Sequence, residues 1–214
     1  MKKIGIIGSG AVAKALGSGF IRHGHEVMLG TSDTSKLAEW QAKSGGQVGS
    51  FAEAADFGEL LVLAVKGIHA ESALERAGLV NLSDKTILDA TNPIDEKRPP
   101  VNGVLHFFTD INHSLMERLQ AYAPAANFVK SFSIIGNSQM VDPQVAGGPP
   151  TMFICGNSEQ AKQEATELLQ EIGWEVADMG GVEAARAIEP LCMLWCIPGF
   201  RENSWQHAFK LLKP

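Results

Sequence analysis

The chain has 214 residues, 45% of them hydrophobic and 20% charged, and a formal net charge of −6. This composition predicts a globular protein with a substantial core, and its acidity argues against nucleic acid, whose phosphates select basic surfaces. No apolar run approaches membrane-spanning length, the first strand begins at Lys3 with no room for a cleavable leader, and three cysteines supply no disulfide framework, so the expected location is the cytoplasm.

The chain opens on the apolar strand Lys3-Ile4-Gly5-Ile6-Ile7, then Gly8-Ser9-Gly10, then an Ala-rich helix expected from about Gly10 to Arg22. Gly8 allows a tight turn at the strand end. Gly10 has no side chain, so a phosphate can approach the backbone, and Ala13 is small enough for the helix to lie close to the sheet. The first helical turn, with Ala11 and Val12, offers unpaired N–H groups and a partial positive charge to an anion. In this order the pattern predicts a cradle for the pyrophosphate of a dinucleotide.

The second strand, His25-Glu26-Val27-Met28-Leu29, ends in Gly30-Thr31-Ser32. A site for NAD usually has a carboxylate here for the ribose hydroxyls. None stands at that point; Thr31 and Ser32 offer hydroxyls and Lys36 a charge, which favours NADP(H) over NAD(H). Asp33 opposes an anion unless it caps the helix expected from Thr34 to about Ala42. His23 and His25 flank Gly24 and read as a polar turn rather than a metal site.

A short strand follows near Gln47-Val48-Gly49, then Ser50-Phe51-Ala52-Glu53 in capping-box form. Leu60-Leu61-Val62-Leu63-Ala64-Val65 reads as a buried parallel strand. A helix is expected from His69 to Arg76, a strand over Thr86–Ala90, a loop over Asp95–Gly103, a helix over Ser114–Tyr122 and a sixth strand over Asn127–Phe132. This alternation predicts an α/β fold with a doubly wound parallel sheet over residues 1–135. Ligands then lie outside the carboxyl ends of the strands. That rule adds Ala64, Val65, Lys66, His69, Asn92 and Pro93 to the cofactor-binding candidates. His69 suits a phosphate, a ribose, a carboxamide or simply a helix cap; Lys66 suits the cofactor, a substrate anion or solvent; Asn92 suits a ribose or a turn before proline. Asp89 reads as structural.

From Gly136 to Pro150 the texture changes to Asn, Ser, Gly and Pro, which fits either an excursion over the nucleotide face or an ordinary connection. A smaller C-terminal α/β unit, 136–214, follows: strand Thr151–Cys155, helix Ser158–Ile172, strand Trp174–Asp178, an apolar helix Val182–Trp195 and a last helix over about Glu202–Leu212. Cys192 and Cys196 share a helix face and read as buried packing, with a redox or metal role as the alternative. No nucleophile–base pair of catalytic spacing is evident, which suits hydride transfer, where orientation is the main contribution of the protein.

The chain resembles the family of NADP-dependent oxidoreductases that includes the reductases of the deazaflavin coenzyme F420. The resemblance is carried by Ile4-Gly5-Ile6-Ile7-Gly8-Ser9-Gly10, Gly24-His25-Glu26-Val27, Gly30-Thr31-Ser32, Asp89-Ala90-Thr91-Asn92-Pro93, Val129-Lys130-Ser131-Phe132, Thr151-Met152-Phe153-Ile154-Cys155-Gly156 and Ile188-Glu189-Pro190-Leu191. It implies a Rossmann-type fold with NADP(H) over the first loop, Thr31, Ser32 and Lys36 near its 2′-phosphate, and His69 near the cofactor. It also implies a flavin or deazaflavin as second substrate beside Phe132, Ser133, Ile135, Gly136 and Asn137, a pocket completed by the C-terminal unit, and a homodimer. Members often carry arginine where Ser32 stands, and Asn-Thr where Ser133 and Ile134 stand. The expected function is transfer of hydride between nicotinamide and a flavin-like or other conjugated small-molecule acceptor. The alternatives are a reductase of small imines or carbonyls, and a non-catalytic NADPH-sensing or partner-binding protein.

Overall fold

A computed structural model describes residues 1–213. Six strands form one parallel sheet: β1 (Lys3–Ile7), β2 (Glu26–Gly30), β3 (Gln47–Gly49), β4 (Leu60–Leu63), β5 (Thr86–Asp89) and β6 (Asn127–Lys130), in spatial order β3-β2-β1-β4-β5-β6. This is the doubly wound Rossmann order, whose direction reverses between β1 and β4. The helices α1 (Ala11–Arg22), α2 (Ala38–Ser44), α3 (Phe51–Phe57), α4 (Ala70–Ala77), α5 (Leu79–Leu82) and α6 (Leu115–Tyr122) connect the strands or flank them. β4 is buried at every position, as a strand covered on both faces must be. Ala13 is fully buried, so α1 does lie close on the sheet. Ser50 caps α3 with a reciprocal Glu53 bond, as the capping-box pattern predicts.

The chain then adds β7 (Thr151–Ile154), α7 (Glu159–Glu171), β8 (Glu175–Asp178), α8 (Ala185–Ile188) and α9 (Leu191–Glu202). β7 and β8 form a two-stranded parallel sheet. An antiparallel bridge joins Lys130 at the end of β6 to Cys155, with Lys130 N–H donating to the Cys155 carbonyl at 3.0 Å. β6 therefore does not end the sheet as a free edge.

Two expectations change, and one left open between two alternatives is resolved. The helix expected over Val182–Trp195 is a 3-10 turn, the short α8 and then α9, because Pro190 has no N–H to continue α8 and starts a new helix instead. The helix expected over Glu202–Leu212 does not form. Asn203 takes the left-handed conformation that ends α9. The following backbone turns to β7: the Phe209 carbonyl accepts from Thr151 N–H at 2.9 Å, and Leu211 N–H donates to Thr151 Oγ1 at 3.0 Å. The stretch from Gly136 to Pro150 runs as a connection and not over the glycine turn. Val141 packs on Gly19, and Asp142 accepts from Arg22 at 3.5 Å and pairs with His23 at 2.9 Å, all at the far end of α1.

The centre of the fold holds charge. Lys130 is fully buried, its Nζ 2.7 Å from Asp89 Oδ2 and 2.9 Å from Glu189 Oε1, and it donates to the Thr91 carbonyl at 3.0 Å. Glu189, just before Pro190, also accepts from the buried N–H groups of Leu115 and Met116, both at 3.0 Å, which have no partner within α6 because they open it. Burial alone lowers the Lys130 pKa, but the two carboxylates reverse this and hold it above the ordinary lysine value. Nearer the surface, Arg186 of α8 donates through Nε to both oxygens of Glu117 on α6, at 3.1 and 3.0 Å.

Lys130→Met leaves two carboxylates buried without their cation, so a loss of about 3–5 kcal/mol is expected in urea unfolding. Hydrogen bonding from Arg186, opposed in part by desolvation, holds the Glu117 carboxyl down at about 2, below its ordinary 4.5. A depressed folded pKa adds stability above the unfolded value and loses it on acidification. Stability is thus expected to fall from about pH 4.5 toward about pH 2, and Glu117→Gln to flatten that slope in unfolding titrations at stepped pH.

Candidate functional site

The glycine turn sits at the carboxyl end of β1, where the sheet order reverses. Gly8 has φ +151°, and a Cβ there would run into the Ala64 carbonyl beyond β4. Only glycine accepts that approach. Gly10 is the N-cap of α1 and makes no side-chain cap bond, so the first N–H groups of the helix are not capped by it. A Cβ on Gly10 would meet nothing within 4 Å.

That empty space belongs to a cleft of about 390 Å³. Ser9, Gly10, Ala11 and Val12 line it on one side, and Ala64, Val65, Lys66 and Ala90 on the other. The first seven were expected from sequence; Ala90, the residue after β5, was not. Lys66 carries the cleft's side-chain ammonium, but Glu96 stands 2.8 Å from it.

Thr31 is buried and ties the end of β2 to the glycine turn, its Oγ1 donating to Ser9 Oγ at 3.2 Å. Asp33 caps the 3-10 turn Thr34–Leu37, accepting from Ser35 N–H at 3.1 Å and Ser35 Oγ at 2.6 Å. Those bonds hold its carboxyl below the usual carboxylate range. Lys36 is exposed, 3.9 Å from Asp33.

A second recess of about 270 Å³ adjoins the cleft through Val65. Ser32, Phe51, His69, Ser72, Ala73 and Arg76 complete it. The sequence reading selected Ser32, Val65 and His69 but passed over the rest. A signal was present: His69, Ser72, Ala73 and Arg76 are spaced i, i+3, i+4, i+7, the period of one face of a helix.

Beyond β5, Asn92 donates through Nδ2 to the Ser133 carbonyl at 2.8 Å, joining the turns after β5 and β6, and Pro93 is buried beside it. Asn92 Oδ1, Ser131 Oγ and Ser133 Oγ are buried without a partner. β6 stops at Lys130, earlier than expected, and Phe132 is held at φ +58° with its side chain buried. So bulky a residue in the left-handed region is an outlier of the kind found at functional sites. Ser133 and Ile135 are also buried, Gly136 is half-buried and Asn137 is exposed. The Trp195 ring of α9 stands 2.7 Å from where a Gly136 Cβ would be, so the C-terminal helix closes on this segment.

The arrangement suits a dinucleotide. Uncapped helix N–H groups beside an empty volume fit a diphosphate, and an orphaned amide oxygen at the next strand end fits a carboxamide or hydroxyl. Among the described residues, no group of three or more His, Cys, Asp or Glu side chains could hold a metal ion, and no helix is long and apolar enough to cross a membrane.

Comparison with known proteins agrees with this geometry. The family described as NADP oxidoreductase, coenzyme F420-dependent, matches residues 3–93, the span that carries both the cleft and the recess. A solved structure of a candidate F420-dependent NADP-reductase from Arthrobacter sp. is 31% identical, with a TM-score of 0.93 over 100% of both chains. The rat metalloreductase STEAP3 is 29% identical over 200 residues, 92% of this chain and 38% of that protein. The chain thus spans little more than a third of the length of the curated relatives it matches. An imine reductase from Aspergillus terreus shares the fold, with a TM-score of 0.67 at 19% identity over 94% of this chain and 62% of that one.

The two glycines are expected to respond oppositely. Gly8→Ala, strained at positive φ and blocked by Ala64, should cost about 2 kcal/mol or more. Gly10→Ala, facing open space, should cost less than about 1 kcal/mol. Parallel urea titrations measure both.

Proposed function

The chain belongs to the coenzyme F420-dependent NADP oxidoreductase family, and from that premise we propose that it moves hydride between NADP(H) and a flavin-like or other conjugated acceptor, a deazaflavin foremost. The observation that carries the reading is the uncapped α1 N-terminus opening on the 390 Å³ cleft. When bound, the reduced nicotinamide supplies the hydride. The α1 N–H groups, with Gly10 leaving room, hold the diphosphate. Ser32 gives a hydroxyl to the adenosine ribose and its phosphate, Thr31 holds the turn that presents it, and Lys36 adds charge nearby. Ala64, Val65 and Ala90 form an apolar wall that excludes water. Asn92, fixed through Nδ2 to Ser133, keeps Oδ1 free for the nicotinamide half of the cofactor.

The acceptor packs beside Phe132, Ser133, Ile135, Gly136 and Asn137, with residues 136–214 completing the pocket. Trp195 against Gly136 supports that role. The same reading takes the protein as a cytoplasmic homodimer, with exposed Leu194 and Phe200 of α9 available to a second copy. Hydride transfer between stacked rings needs orientation more than acid–base help. Reduction of small imines or carbonyls needs a proton donor. Of the two candidate donors, Lys66 is paired with Glu96 and His69 lines the recess on the Ser32 side, away from Asn92, which favours the conjugated acceptor.

Anaerobic NADPH oxidation against a deazaflavin, FMN, FAD, quinones and small imines tests the acceptor. The deazaflavin should turn over fastest; turnover confined to imines would overturn the choice. Gly10→Val should abolish NADPH binding by calorimetry while the protein stays folded. Retained affinity would remove the diphosphate from this turn.

A further inference from the structure

The recess beside the cleft carries a cation that the reading above does not use. Arg76 projects from α4, its Cζ 4.9 Å from the centroid of the Phe51 ring. Phe51 is the first residue of α3 and is fixed there by the Ser50–Glu53 capping box. A guanidinium on an aromatic face keeps its N–H donors free at its edge, in a fork that matches phosphate oxygens.

Three lysines also stand near the cleft: Lys14 of α1 lends its Nζ to the Lys36 carbonyl at 3.5 Å, and the other two face carboxylates. Lys36 lies 3.9 Å from Asp33 and Lys66 2.8 Å from Glu96. Arg76 has no carboxylate partner among the described residues. The recess also offers the hydroxyls of Ser32 and Ser72 and the His69 imidazole, but no acidic side chain.

Position identifies the anion. The recess meets the diphosphate cleft at Val65 and extends to Ser32, just past the end of β2. In this fold the end of the second strand faces the adenosine ribose. An anion bound between Ser32 and Arg76 is therefore one attached to that ribose.

We propose that Arg76, backed by Phe51, binds the 2′-phosphate of NADP(H) and sets the preference for the phosphorylated cofactor. This inference rests on the nucleotide reading above. It adds a guanidinium on α4 to the charge that Lys36 brings from the turn after β2, where Asp33 stands 3.9 Å from that lysine.

Calorimetry with 2′,5′-ADP and 5′-AMP, which differ only in the 2′-phosphate, tests it without turnover. The wild-type protein should prefer 2′,5′-ADP. Arg76→Gln should weaken 2′,5′-ADP about tenfold or more and change 5′-AMP by less than about twofold. Arg76→Lys, which keeps the charge but loses the fork, should fall between. Adding Ser32→Arg to Arg76→Gln should restore part of the lost affinity, since both positions line the same recess. Thermal melts check that each variant is folded.

Equal weakening of both probes by Arg76→Gln would show contact with the adenine instead and overturn the assignment. Unchanged 2′,5′-ADP affinity would overturn it as well. A wild-type protein that binds 5′-AMP without preferring 2′,5′-ADP sinks this inference alone. Failure to bind NADPH or either probe sinks the nucleotide reading and this inference with it.

Discussion

An ammonium with no access to water is tolerable only if carboxylates surround it, and the Lys130 cluster organises the molecule around that demand. Asp89 comes from β5, Lys130 from β6 and Glu189 from the junction of α8 and α9. The same Glu189 receives the first N–H groups of α6. One charged knot thus joins the last two strands of the sheet, a flanking helix and the C-terminal segment. The third partner of the Lys130 ammonium is the Thr91 carbonyl, so the cluster also anchors the turn that leads to Asn92. Such a cluster is poor insulation against unfolding but a strict condition on geometry, since each group is costly to leave unpaired.

The cleft works by the opposite means. Around the glycine turn the side chains are small or missing, and what faces the cleft is the uncapped end of α1. The turn cannot drift: Gly8 lies against Ala64, and Thr31 fastens Ser9. A preformed concavity of this kind spares a ligand the cost of ordering the protein around it. Polar side chains gather instead in the adjoining recess, Ser32 from just past β2 and His69, Ser72 and Arg76 along one face of α4.

The cradle was legible because its logic is local. Strand, glycine turn and helix adjoin in sequence, and alternating apolar segments announced the parallel sheet. The recess was harder, because Phe51 and Arg76 meet only after α3 and α4 pack side by side, and neither residue type is unusual where it stands. The C-terminal helix was misread for a different reason. Residues 203–212 have an acceptable helical composition, yet their backbone finds partners on Thr151 at the start of β7, a tertiary contact that outweighs intrinsic preference. Pro190 could have been read in advance as the break between α8 and α9. Phe132 could not, since nothing in its side chain favours a left-handed backbone.

The bridge from Lys130 to Cys155 has a further effect on how molecules of this protein meet in a crowded solution. An open parallel sheet exposes two margins of unpaired amide groups, each a template for a foreign strand. Here one margin is bridged at Lys130 by the chain's own later segment, and the other is the three-residue β3, which offers little length to a neighbour. Fibre-like stacking through the main sheet is thereby discouraged by topology, without any charged gatekeeper on the outermost strand.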